Sequence, residues 1–107
     1  MPQKLTSHQN KYLRSLAHRL KPFVLVGKNG LTAEVIASVE AALEKHELIK
    51  VKFIDHKEKE LKNQMVDAIC RQTQCFRAGL IGHTAILYRQ ATKVASRKIK
   101  LPGSPAA

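Results

Sequence analysis

Gly27-Lys28-Asn29-Gly30 is the segment whose residue types and spacing most clearly suggest a site. Two glycines three apart let the backbone take up φ > 0 and let a ligand approach it closely. Thr32 is a good helix N-cap and Glu34 suits a first helical turn, so the loop opens a helix. The start of a helix presents unpaired N–H groups and a partial positive charge, and together with a glycine loop it makes an anion site. Lys28 would add a mobile point charge and Asn29 a neutral donor. The same logic underlies the GXXG backbone clamp of KH domains. The segment is not a P-loop, which needs four residues between the glycines followed by Lys and Ser or Thr. Nor does a single G-x-x-G make a dinucleotide fingerprint.

Other residues capable of chemistry are dispersed. His8, His18, His46, His56 and His83 stand far apart, and no serine or cysteine has a base at a recognisable spacing. No catalytic residue is nominated, and the chain is read as a binding protein instead of an enzyme. Cys70 and Cys75 are the only cysteines, too few for a zinc set. They read as free thiols in the core. No metal and no cofactor is expected.

The elements that must hold the loop follow from periodicity. Thr6 and Gln9 form a capping box. Leu13, Leu16, Ala17 and Leu20 then recur at helical spacing, with Tyr12 at the edge and Lys11, Arg14, His18 and Lys21 off the stripe. Pro22 closes this helix. Phe23-Val24-Leu25-Val26 reads as a short buried strand. A second helix runs from Thr32 to about His46 on Val35, Ile36, Val39, Ala42 and Leu43. From Leu48 to Ile54, Ile49, Val51 and Phe53 alternate with Lys50 and Lys52, the signature of a strand with one apolar face. Glu58 to about Arg71 is a third helix with Leu61, Met65, Val66 and Ile69 inward. Cys75–Ile81 and Thr84–Arg89 are strands joined by Gly82-His83, a two-residue hairpin with Gly first. The order predicts an α/β fold, an α-β-α-β-α-β-β sandwich with a four-stranded mixed sheet. Residues 1–90 form the domain and 91–107 a basic, flexible tail.

Charge narrows the partner. Nineteen Lys and Arg against eight Asp and Glu give +11 and a pI near 10.1, the footprint of a polyanion binder. Residues 1–30 and 70–107 hold no acid and carry +6 and +7, whereas 31–69 carries −2. A polyanion site built from both ends of the chain is expected. Besides the loop, Arg14, Arg19, Lys21, Lys50, Lys52, Arg77 and Arg89 are candidate RNA contacts, the last two only if the first and last strands approach. Tyr88 reads as a packed side chain before a base-stacking one. The sheet has no dense aromatic platform, which argues against stacking of the RRM kind. No apolar run nears the roughly 18 residues of a membrane span, and Met1–Leu5 is not followed by the apolar stretch of a signal peptide. The chain is read as cytoplasmic, not membrane-bound, and monomeric.

Several ordered blocks resemble a known family. They are Leu5-Thr6-x-x-Gln9-x-x-Tyr12-Leu13-x-x-Leu16-Ala17-His18, then Leu20-Lys21-Pro22 and Val26-Gly27-Lys28-Asn29-Gly30-Leu31-Thr32. They continue through His46-Glu47-Leu48-Ile49-Lys50-Val51-Lys52 and Ile81-Gly82-x-x-x-Ile86-Leu87-Tyr88-Arg89. Across residues 5–90 this is similar to the YhbY-type proteins, the bacterial stand-alone form of the CRM domain (chloroplast RNA splicing and ribosome maturation). The resemblance implies a fold similar to the C-terminal domain of translation initiation factor 3. It also implies RNA binding at Gly27, Lys28, Asn29 and Gly30, and association with precursors of the large ribosomal subunit. One position departs: His83 stands where the family usually has Lys, so a fixed charge becomes one that is mostly neutral near pH 7. The leading expectation is thus an assembly factor that binds large-subunit ribosomal RNA. A permanent structural component of the ribosome and a DNA-binding module are the alternatives, with a phosphate-handling enzyme behind them.

Overall fold

A computed structural model describes residues 5–55, 58–92 and 99. Within them the chain forms α1 (Ser7–Ala17), β1 (Val24–Val26), α2 (Ala33–His46), β2 (Leu48–Phe53), α3 (Lys59–Thr73), β3 (Phe76–Ile81) and β4 (Thr84–Tyr88). This is the expected order. The sheet runs β1-β2-β4-β3. β1 lies parallel to β2, and β4 is antiparallel to both β2 and β3.

The pleat of β2 divides the molecule into layers. Ile49, Val51 and Phe53 point to one face, where they meet Val39 and Leu43 of α2 and Met65, Val66 and Ile69 of α3. Leu48 points to the other, where Ile86, Tyr88 and Ala78 meet Leu13 and Ala17 of α1. The sheet is sandwiched between α1 and the α2/α3 pair, so each face of each strand must satisfy a different neighbour. Tyr88 is buried on the α1 side, a packing residue of an inner strand.

Local signals place the helices. Gln9 N–H donates to Thr6 Oγ1, and the Thr6 N–H donates back to Gln9 Oε1, each at 3.0 Å. α1 stops at Ala17, before Pro22, because the chain tightens there. Leu20 N–H turns back to Ala17 O, and Lys50 Nζ donates to Leu20 O at 2.9 Å. A sheet lysine thus fixes the exit of the first helix. Leu16 is consequently half-exposed. On α3, Leu61 faces outward and Lys62 is buried in its stead. Lys62, Met65, Val66, Ile69 and Thr73 are the buried positions of the helix, and they keep the spacing of one helical face. Cys70 and Cys75 are free, their sulfurs 3.5 Å apart. The shared bond and burial hold the Cys70 thiol above its usual range, while the same shared bond holds Cys75 below it.

The domain's bonding extends past Gln90. Glu47, at positive φ and fully buried, accepts from Ala91 N at 2.7 Å and from Ile99 N at 2.9 Å. Thr92 bonds to Glu44. Ala91 is buried, and Ile99 packs against the α1-side cluster. The rest of the expected tail lies outside the described residues. No described helix is long and apolar enough to cross a membrane.

Glu47→Gln keeps the shape but turns one acceptor into a donor facing an N–H. Such a loss of a buried acceptor is expected to cost about 1–3 kcal/mol. Urea unfolding should show that loss, together with faster amide exchange at Ala91 and Ile99.

Candidate nucleic-acid interface

β1 and β2 run in parallel, so the loop after β1, the turn after β2 and the β3–β4 hairpin all gather at one end of the sheet. Three hydrogen bonds tie them. Ile54 N–H donates to Val26 O at 2.9 Å, Phe53 N–H to His83 O at 2.7 Å, and Lys62 Nζ to Gly82 O at 2.6 Å. The glycine loop therefore rests on a braced platform.

The loop itself is a tight turn closed by Gly30 N–H to Gly27 O at 3.0 Å. Lys28 and Asn29 project into solvent. Gly30 has φ 71° and is buried, so the turn needs glycine there. Gly27 differs. Its φ is not positive, and nothing lies within 4 Å of where a Cβ would stand. The fold makes no demand for glycine at 27, whereas close approach of a ligand would. Downstream, Thr32 Oγ1 takes the Val35 N–H and Glu34 already stands in the first turn of α2. That carboxylate offsets the positive end of the helix, so Lys28 and the loop carry the attraction for an anion more than the helix does.

The hairpin shows how the His83 departure is handled. Lys62 Nζ lies 3.0 Å from His83 Nδ1 as well as donating to Gly82 O. An ammonium has donors only, so Nδ1 accepts and the ring proton sits on Nε2. The cation beside the hairpin glycine comes from α3 rather than from position 83. Gly82 has φ 58°, as a two-residue hairpin with Gly first requires. Sequence reasoning missed Lys62; its place on the apolar stripe of α3 was the available signal.

Charge is sorted by layer. Glu34, Glu40 and Glu44 lie on α2 and Glu47 at its C-cap; Asp55 and Glu58 lie in the turn before α3, and Glu60 and Asp67 on α3. None stands on α1 or on any strand. The α1 side of the molecule thus carries Lys11, Arg14, Arg19, Lys21, Lys50 and Lys52 with no carboxylate among them. Arg14 reaches this face over Gly79, where an added Cβ would meet its Cδ at 2.7 Å. Its guanidinium donates to the carbonyl of Ala78, 2.8 Å away, at the bulge between Arg77 and Gly79. Arg14, His18 and Lys50, with Ile81, Thr84 and Ile86, line a shallow groove of about 190 Å³. Arg19, Lys21, Lys28 and Lys52 are exposed, and none has a carboxylate in salt-bridge range among the described residues.

Two sequence candidates are not brought to the loop. Arg89 follows Tyr88, which pairs with Leu48 at the opposite end of β2. There it bridges Glu40 and Glu44 and donates to Thr73 O, its side chain only 15% exposed. Arg77 sits on β3, the edge strand farthest from β1, and turns toward α3, where it meets Asn63 and Asp67. Both thus lie toward the end of the sheet away from Lys28. Among the described residues no cluster of three His, Cys, Asp or Glu could hold a metal.

Comparison with known proteins decides the family. The pattern of the CRS1/YhbY (CRM) domain matches residues 5–89. This chain belongs to the CRM domain family. An RNA-binding protein of Haemophilus influenzae is 43% identical over 98 residues, covering 92% of this chain and 95% of that one. A Bacillus subtilis relative named probable RNA-binding protein YqeI is 36% identical over 92% of this chain and 99% of its own. The solution structure of a Staphylococcus aureus protein, described as a candidate RNA-binding protein, superposes with a TM-score of 0.78 at 32% identity. It covers 92% of this chain and 99% of its own. The CRM domain here is thus an α/β sandwich whose glycine loop and acid-free face adjoin.

Replacing Gly27 of the loop and Gly82 of the hairpin contrasts a glycine that the fold does not require with one that it does. Gly27→Ala should change stability by less than about 0.5 kcal/mol, because nothing stands where the added Cβ would lie. Gly82→Ala should cost about 1–2 kcal/mol for a side chain at positive φ. Denaturant midpoints of the two variants test the contrast.

Proposed function

We propose that this protein binds RNA across its α1-side face and the Gly27–Gly30 loop, and that its target is large-subunit ribosomal RNA during subunit assembly. The observation that carries the RNA reading is the sorting of charge: every carboxylate is on or near the α2/α3 layer, and a face that carries lysines and arginines but no carboxylate borders a glycine loop. A phosphate chain meeting that surface displaces counterions. The names of the curated relatives support the same partner. The choice of ribosomal RNA rests on the resemblance to YhbY-type proteins, and the compartment it requires is the cytoplasm.

In this reading the residues have distinct tasks. Lys28 supplies a charge at the loop tip, Asn29 a neutral donor, and Gly27 the clearance for a phosphate. Lys52, Arg19 and Lys21 extend the field over the face and the link from α1 to β1. Lys50 and Arg14 add charge that is already anchored, through Leu20 O and Ala78 O, so they lose little freedom when RNA binds. Arg77 and Arg89 serve the fold. Chemistry on the RNA is not part of the proposal, since no acid or base is gathered at the loop.

Binding should weaken steeply with salt, with a log–log slope of roughly −0.7 to −0.9 per phosphate neutralised. Lys28→Ala should lower the affinity and reduce the slope by about one unit, while Arg77→Ala leaves both unchanged. Salt-insensitive binding would count against the reading. For the target, sedimentation of a cell extract should place the protein with free large subunits or their precursors at moderate salt, and release it at high salt. Presence in mature ribosomes at full stoichiometry would favour a permanent component, and tighter binding of duplex DNA than of RNA would favour a DNA-binding module.

A further inference from the structure

One row of side chains crosses the whole sheet on the α1 side at the loop end. Leu25 of β1 pairs with Lys52 of β2, Lys52 with Thr84 of β4, and Thr84 with Ile81 of β3. All four point to the face that α1 covers, because their neighbours along each strand face α2 and α3. α1 borders this row at Thr84 and Ile81 but leaves much of it open. Leu25 is 55% exposed and Ile81 61% exposed, and Lys52 is exposed between them. Strands stand about 4.8 Å apart, so the row is about 14 Å long. Two large aliphatic side chains are thus held open at the two ends of one row, with a lysine between them and no carboxylate in the row.

The chemistry of the row selects its occupant. An apolar protein partner would be served by the leucine and isoleucine but would have to desolvate Lys52 and the adjoining Arg14 and Lys50 without a counter-charge. A duplex presents phosphates and wide grooves, which use the lysines and leave the aliphatic groups idle. A single strand presents both needed parts: phosphates, and bases turned out of their stack with flat apolar faces. We propose that the Leu25–Lys52–Thr84–Ile81 row seats unstacked bases of single-stranded RNA whose backbone is held by Lys28 and the cationic rim. Leu25 and Ile81 lie under the bases, Lys52 meets the intervening phosphate, and the Thr84 hydroxyl is within the row to bond a base edge. The seat is aliphatic and sparse, distinct from the aromatic platform of an RRM. It rests on the reading that this face binds RNA, and it narrows that reading to loops, ends or melted segments.

Fluorescence anisotropy with the full chain tests it. The probes are a single-stranded RNA of mixed sequence and about 12 nucleotides, within the range one small domain covers, and the same strand annealed to its complement. The single strand should bind about tenfold tighter than the duplex. The double variant Leu25→Ser/Ile81→Ser should lose that preference while keeping the duplex affinity and the salt slope; both positions are open to solvent, so circular dichroism should remain that of the parent. Equal binding of the two probes by the parent, or an unchanged preference in the folded variant, would overturn the base seat and leave the RNA reading standing. Binding of neither probe would overturn both.

Discussion

Along β2 the chain alternates strictly, and each half of the alternation has a separate job. Ile49, Val51 and Phe53 complete the core beneath α2 and α3, while Leu48, Lys50 and Lys52 face α1 and the open sheet. A slip of one residue in this strand would bury two lysines and expose three large apolar groups, a change no other part of the domain could offset. The register of β2 therefore fixes the hydrophobic layer and the cationic layer at once. The parallel pairing of β1 then sends the glycine loop to the same end as the hairpin, and the Lys62 bonds to Gly82 and His83 lock that end together.

Much of this was legible in the sequence because it depends on period and caps. The Thr6 and Thr32 caps, the β2 alternation and the Gly82-His83 turn are local features, and the elements formed in the expected order, though α1 ends at Ala17 before Pro22. The glycine loop was legible as a turn opening a helix for the same reason. Features that depend on strand order were not. Nothing local says how β3 and β4 pair with β2, and that pairing places Arg77 and Arg89 toward the end of the sheet away from Lys28. Lys62 was hidden by its residue type: a lysine is rarely buried, so Leu61 was the natural inward choice, yet Lys62 shares the face of Met65, Val66, Ile69 and Thr73. Gly79 gave no sign of its use, since only the packed helix reveals that Arg14 occupies the space of its missing side chain.

The acid-free ends of the chain also acquire a physical meaning only in three dimensions. The N-terminal segment forms α1 and β1, and the acid-free segment after α3 begins with β3 and β4. These are the elements that, with β2, build one side of the sandwich. The acidic middle supplies the helices on the other. What reads as a pattern along the sequence becomes a difference between two faces, with the sheet as the boundary. The glutamates of α2 and its C-cap retain structural work there, holding Arg89, Ala91 and Thr92.

This sorting of charge also gives the described part of the molecule an electrical polarity across the sheet. A polyanion nearby exerts a torque on such a body as well as a pull, turning the α1 side toward it and the α2/α3 side away. Random collisions between a small domain and a specific patch are mostly misaligned, and that misalignment is what keeps ordinary association rates far below the diffusion limit. A domain that arrives already turned avoids much of that loss. The layered placement of eight carboxylates thus bears on how quickly a correct encounter happens, independently of how long the resulting complex lasts.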